Sequence, residues 1–370
     1  MSVEQRHRLI LRQLRDRGSI RLTELVEVLG VSAVTLRRDV EHLAEQGLLV
    51  RVHGGVTLPP EAERAPAGQA AAGLTIGMLV PSAHYYYPGV IKGAQERAAQ
   101  AGARLVLGIS RYEDEEDRAQ VRQLAEGGVD GLLLTPSRQP DDSHVAWLAG
   151  LHVPAVLVER RIELAGPASM LDSVASDHAH GAYLGVRHLA ELGHRRLALV
   201  AYQSPTTPRI KAGVLAGAAA LGLEPPKELV IDRERPVEQL IERVLRLVRR
   251  DGVSGLVVHN DEDALTLVRQ LAAAGVQIPG EVSLVAYDDE VASFCSPSLT
   301  AVAPPKLHVG RCAVDMLIMR IAEGPATPGA TWRCCPSCAP ASPRRPRADE
   351  ASKLFRYDRF DRNDWTAAEE

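Results

Sequence analysis

From Leu74 onward the chain alternates short apolar runs with segments of helical period, and this alternation restricts the fold more than any other feature. Apolar runs occupy residues 76–80, 105–109, 131–134, 153–158, 196–200, 255–258 and 282–286. Helical period appears between them at 90–101, 179–192, 237–249 and 261–274. Runs this short, apolar on successive residues, read as strands buried on both faces. Interleaved with amphipathic helices they make βαβ units, hence parallel sheets covered on both sides. About 250 residues is long for one such sheet, so two stacked α/β lobes are expected.

The residues just after those runs are the second constraint. In open α/β sheets a ligand binds beyond the carboxyl ends of the strands. Those positions hold Ser82, His84, Tyr85, Tyr86 and Tyr87, then Glu159, Arg160 and Arg161. His259, Asn260 and Asp261 follow a third run, and Tyr287, Asp288 and Asp289 a fourth. Such a set suits a neutral polyhydroxyl ligand. Carboxylate and guanidinium take paired hydrogen bonds with vicinal hydroxyls, and a tyrosine ring packs on the apolar face of a sugar. Each residue alone has a plainer reading: an Asp after a strand is commonly a helix N-cap, and Asp261 is expected to be one. The coincidence at four strand ends points to a pocket.

The N-terminal residues have a different texture. Ile10 and Leu14 mark an amphipathic first helix. Thr23 is placed to cap a second, with Leu25, Val26 and Leu29 facing inward and Gly30 ending it. Ser32 caps a third helix, in which Leu36, Val40 and Leu43 form one buried stripe. Arg37 and Arg38 lie off that stripe with Thr35 nearby, and Gly47 closes the helix. Residues 48–56 read as a two-stranded ribbon turning at Gly54-Gly55. This is a helix-turn-helix, and an arginine-bearing helix followed by a β wing has the shape to enter a DNA major groove. A small protein-interaction module with a solvated arginine pair would show the same spacing.

Charge confines any DNA contact to that unit. Lys+Arg 43 against Asp+Glu 47 leave a net charge of −4 over 370 residues, whereas a chain that binds nucleic acid along its whole surface is basic. Residues 1–17 are charged and amphipathic, unlike a signal peptide. No apolar run reaches membrane-spanning length. The cysteines, Cys295, Cys312, Cys334, Cys335 and Cys338, are odd in number and clustered late. They form no disulfide framework and fit a reducing cytoplasm.

The first 58 residues resemble the winged helix-turn-helix of the DeoR family of bacterial transcription regulators. The resemblance rests on V-S-x-x-T-x-R-R-D-V-x-x-L-x-x-x-G-L-L-x-R-x-H-G-G, above all Arg37, Arg38 and Asp39 with His53-Gly54-Gly55. It implies that Ser32, Ala33, Thr35, Arg37 and Arg38 face DNA, while Arg51 and His53 touch the backbone from the wing.

Residues 74–324 resemble the sensor of LacI/GalR-type repressors. The motifs are Gly275-x-x-Ile278-Pro279-Gly280-Glu281-Val282-Ser283-Leu284-Val285-Ala286-Tyr287-Asp288-Asp289, Gly193-His194-Arg195-Arg196, Asn260-Asp261-x-x-Ala264, Pro297-x-Leu299-Thr300 and Gly310-x-x-Ala313. The resemblance implies the fold of type I periplasmic sugar-binding proteins, two α/β lobes joined by crossing strands and closing on a ligand. It further implies effector contacts from Arg160, Asp177, Asn260, Asp261 and Asp288, with Ser82, Tyr86 and Tyr87 from the 82–87 loop. The family's arginine three residues before Gly213 is replaced by Ile210, and Arg209 is the expected contact there. His178 stands where an asparagine is common. The family's hinge helix is missing, so lobe closure is expected to act through dimer geometry.

The expected organisation is α/β: a winged helix-turn-helix at 1–58, a Pro-rich linker at 59–73, and a periplasmic-binding-protein-like sensor at 74–325. Lobe 1 is expected at about 74–158 and 291–325 and lobe 2 at about 162–288, with a disordered C-terminal tail at 326–370. In that tail W-R-C-C-P-S-C-A-P stands where the family has a crossing strand. Back-translating residues 333–342 with GC-rich codons and reading one nucleotide earlier can give Leu-Leu-Pro-Glu-Leu-Arg-Pro-Arg-Glu. A frameshift between Gly324 and Arg333 would therefore account for the missing strand. Cys334, Cys335 and Cys338 lack a fourth ligand for a closed zinc site, so no metal is expected.

These readings predict a cytoplasmic, ligand-responsive DNA-binding transcriptional regulator. It would be a repressor of carbohydrate uptake or catabolism genes, modulated by a small sugar, with no cofactor and no enzymatic activity. A homodimer, or a tetramer, would set recognition helices about 34 Å apart on palindromic operator DNA. Two alternatives stand beside it. A solute-binding sugar receptor fits the sensor but not the DNA-binding module. An α/β sugar-processing enzyme would need a phosphate-binding glycine loop or Walker lysine, and P-S-A-H-Y-Y-Y after the first strand offers neither.

Overall fold

The computed structural model describes residues 6–7, 9–11, 13–14, 19–45, 49–52, 55–57, 73–138, 146–148, 150–161, 171–296, 298–324 and 329–339. His53, the linker up to residue 72 and the tail beyond Ala339 lie outside the described residues.

The N-terminal unit contains β1 (Ser19–Arg21), α1 (Leu22–Leu29), α2 (Ala33–Glu45), β2 (Val50–Val52) and β3 (Gly55–Thr57). Its core joins Ile10 and Leu14 of a first helical stretch to Leu25, Leu36, Val40, Leu43, Leu49 and Val56, none more than 2% exposed. The expected stripe of the third helix is thus the buried one. Gly30, in the left-handed region at φ 61, ends α1 and donates its N–H to Val26 O, a geometry that glycine adopts without a Cβ penalty. The wing differs from expectation by one strand: β3 pairs antiparallel with β2 and also with β1. That strand runs straight into α1, so Arg21, in extended backbone, occupies the N-cap and Thr23 lies inside the helix.

The rest forms two six-stranded sheets. The first holds β4 (Thr75–Val80), β5 (Arg104–Ile109), β6 (Gly131–Leu134), β7 (Ala155–Val158), β8 (Asp172–Ser176) and β14 (Thr331–Cys334), ordered β14-β8-β7-β6-β4-β5 and wholly parallel. The second holds β9 (Leu197–Tyr202), β10 (Lys227–Ile231), β11 (Gly255–His259), β12 (Ser283–Tyr287), β13 (Thr300–Ala303) and β15 (Ser337–Ala339). Its order is β10-β9-β11-β12-β13-β15, antiparallel only at β15. The central strands β4, β6, β11 and β12 are buried at every residue, the burial that covered parallel sheets require.

Lobe membership departs from the expected bounds at two strands. β8, expected in the second lobe, pairs with β7, and β13, expected in the first, pairs with β12. The chain therefore crosses between lobes after β8, after β13 and after β14. The helix that follows the second crossing, Lys306–Glu323, packs on the helix Tyr87–Gln100 of the first lobe. Their backbones touch at Gly310, where an added Cβ would collide with Val90 O. The second lobe repeats the device: a Cβ on Gly213 would collide with Ala179 O. Both motif glycines are packing residues.

The tail expectation is overturned over residues 331–339. β14 and β15 supply the crossing that a shifted reading frame was invoked to restore. Asp172 anchors its start: the carboxylate takes Arg320 Nε and Nη2 at 2.5 and 2.7 Å and accepts from Ala330 N–H at 2.7 Å. Ser173 Oγ donates to Thr331 Oγ1 at 3.1 Å. The strand escapes a pattern reading because an edge strand needs backbone pairing rather than an apolar alternation, and only Cys334 of its side chains is buried. Among the described residues no helix is long and apolar enough to cross a membrane.

Candidate DNA-binding surface and effector cavity

The start of α2 carries the candidate DNA surface. Ser32 Oγ accepts from Thr35 N–H at 3.2 Å and lies 2.9 Å from Thr35 Oγ1, so the predicted cap is formed. Ser32, Ala33, Arg37 and Arg38 project from this turn and the next, with Thr35 half-buried and both arginines exposed. Val34, absent from the sequence-based set, is 64% exposed on the same turn, where an apolar group can meet a thymine methyl. Asp39 has a different role from its arginine neighbours. It is buried and accepts from Arg6 Nε at 2.7 Å and Nη2 at 3.0 Å, with His7 Nε2 at 3.1 Å. It ties the first helical stretch to the recognition helix. Arg51 on β2 lies 3.4 Å from Glu41, and both side chains are more than half exposed, so the pair is weak and leaves the guanidinium exchangeable.

The candidate effector site is a cavity of about 510 Å³ between the two lobes. The first lobe contributes Ser82, His84, Tyr85, Tyr86 and Tyr87 after β4, Tyr112 after β5, Ser137 after β6 and Glu159 and Arg160 after β7. The second contributes Tyr202, Gln203 and Ser204 from the end of β9, Arg233 after β10, His259 and Asn260 at β11 and Asp288 after β12. Of the expected contacts, Ser82, Tyr86, Tyr87, Arg160, Asn260 and Asp288 line this cavity.

Asp177, Asp261 and Arg209 do not. Asp177 caps the helix His178–Glu191, its Oδ1 accepting from His180 N–H at 3.1 Å. Asp261 is fully buried; its Oδ2 accepts from the N–H groups of Glu290, Val291 and Ala292 at 2.6, 2.5 and 2.9 Å. It shapes the loop after Asp288 and is not the N-cap, since Asn260 caps that helix. Arg209 borders an adjoining recess of about 450 Å³ that shares Ser137, Gln203, Ser204 and Pro205 with the cavity. Ile210 fills the second-lobe core and Lys211 pairs with Glu228 at 2.5 Å. Tyr112, Ser137, His178, Tyr202 and Arg233 were missed as contacts, although all lie at or just after strand ends.

Hydrogen bonds hold the walls in place. Tyr85 reaches across the cleft, its hydroxyl donating to Asp261 Oδ1 and lying 3.3 Å from Asp288 Oδ2. Tyr86 OH donates to Glu159 Oε1 at 2.7 Å, and Glu159 Oε2 accepts from Ser176 N–H at 3.0 Å. His178, at the first crossing, stands between Glu159 (3.4 Å) and Tyr287 OH (3.2 Å), so a polar chain links the lobes. Arg160 is buried, with Nε on Pro136 O at 2.9 Å and Nη1 on Glu159 O at 3.0 Å. Tyr202 stacks on His259 at 5.2 Å and carries Arg233 above its ring at 4.5 Å. Tyr85, Glu159 and Asp288 all have positive φ, at 59°, 54° and 90°, the strained backbone that collects at binding sites.

The two cavity carboxyls are pushed in opposite directions. Burial alone would raise Glu159, but the hydrogen bond and charge of His178, with Tyr86 OH and Ser176 N–H, hold it down at about 2. Burial raises Asp288 to about 7, against the pull of Lys306 and with the help of Asp261. Lys306 Nζ donates to the Asp288 carbonyl and pairs with Glu290 at 2.6 Å. Burial, with His178 and Arg233, lowers His259 to about 3, so its ring is neutral and its 3.8 Å approach to Asp288 is no ion pair. Burial raises Tyr202 to about 12. The cavity thus offers neutral rings and hydroxyls, a fixed anion, two guanidiniums and one carboxyl poised near neutrality.

The DeoR-like helix-turn-helix domain matches residues 6–62, and the periplasmic binding protein-like domain matches residues 186–339, through β15. The chain joins a DeoR-like helix-turn-helix domain to a periplasmic binding protein-like domain. This architecture is that of a ligand-responsive DNA-binding transcriptional regulator. It is 28% identical over 256 residues to the HTH-type transcriptional repressor PurR of Photobacterium profundum, covering 67% of this chain and 75% of that protein. Against the arabinose metabolism transcriptional repressor of Geobacillus stearothermophilus it is 25% identical over 325 residues, 81% of this chain and 84% of the other. In fold, the regulator resembles the periplasmic binding protein/LacI transcriptional regulator from Alkaliphilus metalliredigens QYMF complexed with D-xylulofuranose. That structure has a TM-score of 0.59 and 22% identity, covering 73% of this chain and 99% of the other.

Proposed function

We propose that this regulator is a cytoplasmic, homodimeric repressor of carbohydrate uptake or catabolism genes whose grip on operator DNA is set by a small sugar in the interlobe cavity, and that it catalyses no reaction. The observation that carries the reading is the cavity itself. It is built from both lobes, lined by hydroxyls, rings, Arg160, Arg233, Asn260 and Asp288, and accompanies a helix-turn-helix with exposed Arg37 and Arg38. The similarity to an arabinose repressor over most of both chains supports a sugar ligand. Similarity to transcriptional repressors, rather than to enzymes, supports the absence of catalysis.

Mechanistically, a sugar packs against the first-lobe tyrosines of the cavity and takes hydrogen bonds from Arg160 and Asn260. Its hydroxyls donate to the Asp288 carboxylate. These groups come from opposite lobes, so the ligand binds closed and open cleft unequally and shifts their populations. The Tyr86–Glu159–His178–Tyr287 chain carries that change across the crossing. In a dimer, lobe rotation changes the separation of the recognition helices and hence their fit to successive major grooves. Coupling of about 1–3 kcal/mol would change DNA affinity roughly 5- to 150-fold. The test is a thermal-shift screen of the full chain against pentoses, hexoses, disaccharides, sugar phosphates and purine bases. A sugar should raise the melting temperature in proportion to the logarithm of its concentration. A response to purine bases alone would overturn the carbohydrate assignment.

A further inference from the structure

Three ligating side chains from two separate elements meet beside the last lobe crossing, away from the effector cavity. His308 and Cys312 stand one turn apart on the helix Lys306–Glu323, and Cys334 ends β14. One donor atom of each lies within 4.8 Å of the others. His308 Nε2 is 3.4 Å from Cys312 Sγ. Metal bonds of about 2.3 Å to sulfur and about 2.0 Å to nitrogen put neighbouring tetrahedral donors roughly 3.5–3.8 Å apart. Small side-chain adjustments therefore suffice for all three to share one ion. Cys334 is buried, Cys312 half-buried and His308 exposed, so the cluster opens to solvent on one side.

We propose that His308, Cys312 and Cys334 form a binding site for a thiophilic divalent ion, zinc in the cell, with three protein ligands and one exchangeable position. Two thiolates and an imidazole select such an ion over magnesium or calcium. The sequence groups Cys334 with Cys335 and Cys338, which leaves the set short of ligands; the fold supplies the partners from a helix 22 residues upstream of Cys334 at Cys312. The ion would join a helix packed in the first lobe to the strand from which the chain leaves for β15. Occupancy would therefore stiffen one of the three connections about which the lobes move. None of the three ligands lines the sugar cavity, so the metal and the sugar occupy separate sites.

The experiment uses the full chain, reduced and stripped of metal, titrated with cadmium chloride. The expected result is a thiolate-to-cadmium ultraviolet band that saturates at one equivalent and is displaced by zinc. Cys312→Ser should abolish the band, while Cys295→Ser, a change in the second-lobe core, should keep it. If Cys312→Ser fails to fold, His308→Gln, on an exposed position, should still weaken zinc binding more than about tenfold. The proposal is overturned by an absent band in the wild-type protein, by a band that survives in Cys312→Ser, or by undiminished zinc affinity in His308→Gln. A Cys312–Cys334 disulfide that persists under thiol reductant and excludes metal would overturn it as well.

Discussion

Asp288→Asn isolates the most perturbed carboxyl of the effector cavity. The substitution keeps the shape and can still accept from Tyr85 OH, but it removes the titration. Burial moves the Asp288 carboxyl from its ordinary 3.8 to about 7 in the folded chain. At roughly 1.4 kcal/mol per tenfold in acidity, that is about 4 kcal/mol. The sign follows from proton linkage. Between about pH 4 and pH 7 the folded protein holds a proton that the unfolded chain has lost, so stability is fully present below about pH 4 and declines as pH rises towards about 7. The asparagine variant lacks this decline. Urea unfolding of both proteins at about pH 4 and pH 8 should therefore show the variant gaining about 4 kcal/mol on the wild type over that interval. Lys306, already paired with Glu290 at 2.6 Å, loses no ionic partner in the variant. A stability difference that stays constant to within about 0.5 kcal/mol across the interval would refute the buried-carboxyl argument. Sugar binding should respond oppositely in the wild type, weakening below about pH 7 as the acceptor becomes protonated.

Three further outcomes follow from contacts elsewhere. Arg37→Ala should weaken operator binding by about 1–3 kcal/mol in fluorescence anisotropy while leaving the sugar-induced thermal shift intact; unaltered operator affinity would remove Arg37 from the interface. Asp39→Asn should destabilise the N-terminal unit by about 2 kcal/mol, read by limited proteolysis, because Arg6 and His7 lose their buried anion. Arg6 holds the Asp39 carboxyl below its ordinary value, so that contribution is present near neutrality and disappears as pH falls through the acid range. Asp172→Ala should cost about 3 kcal/mol and expose the 329–339 segment to protease, since it strips Arg320 and Ala330 N–H of their shared partner. Resistance of the variant at the wild-type level would show that the segment is held without Asp172.

The parts of the fold that repeat a short-range rule were legible in the sequence. Apolar runs became the buried strands, and the Leu36, Val40, Leu43 stripe became the core of the DNA-binding unit. Sheet membership was not, because nothing local tells β8 or β13 which neighbour it will find. The same limit hid β14: its residues W-R-C carry no apolar alternation, and its pairing is fixed by Asp172, more than 150 residues away at Ala330. In the cavity, the strand-end rule reached only part of the lining, because it was applied at four ends. Tyr112, Ser137, Tyr202 and Arg233 come from four others. Conversely, Asp177 and Asp261 have the chemistry of ligand contacts but spend it on backbone N–H groups. Only coordinates separate those two uses of a carboxylate.

The account stands on the claim that the cavity governs the recognition helices. The direct measurement is the dissociation constant of the full-length protein for a duplex selected by the protein itself, with and without the sugar that raises its melting temperature. The account predicts a change of roughly 5- to 150-fold on saturation with sugar, lost in a variant whose cavity cannot bind it. Sugar that binds in the cavity yet leaves the operator dissociation constant unchanged would contradict it.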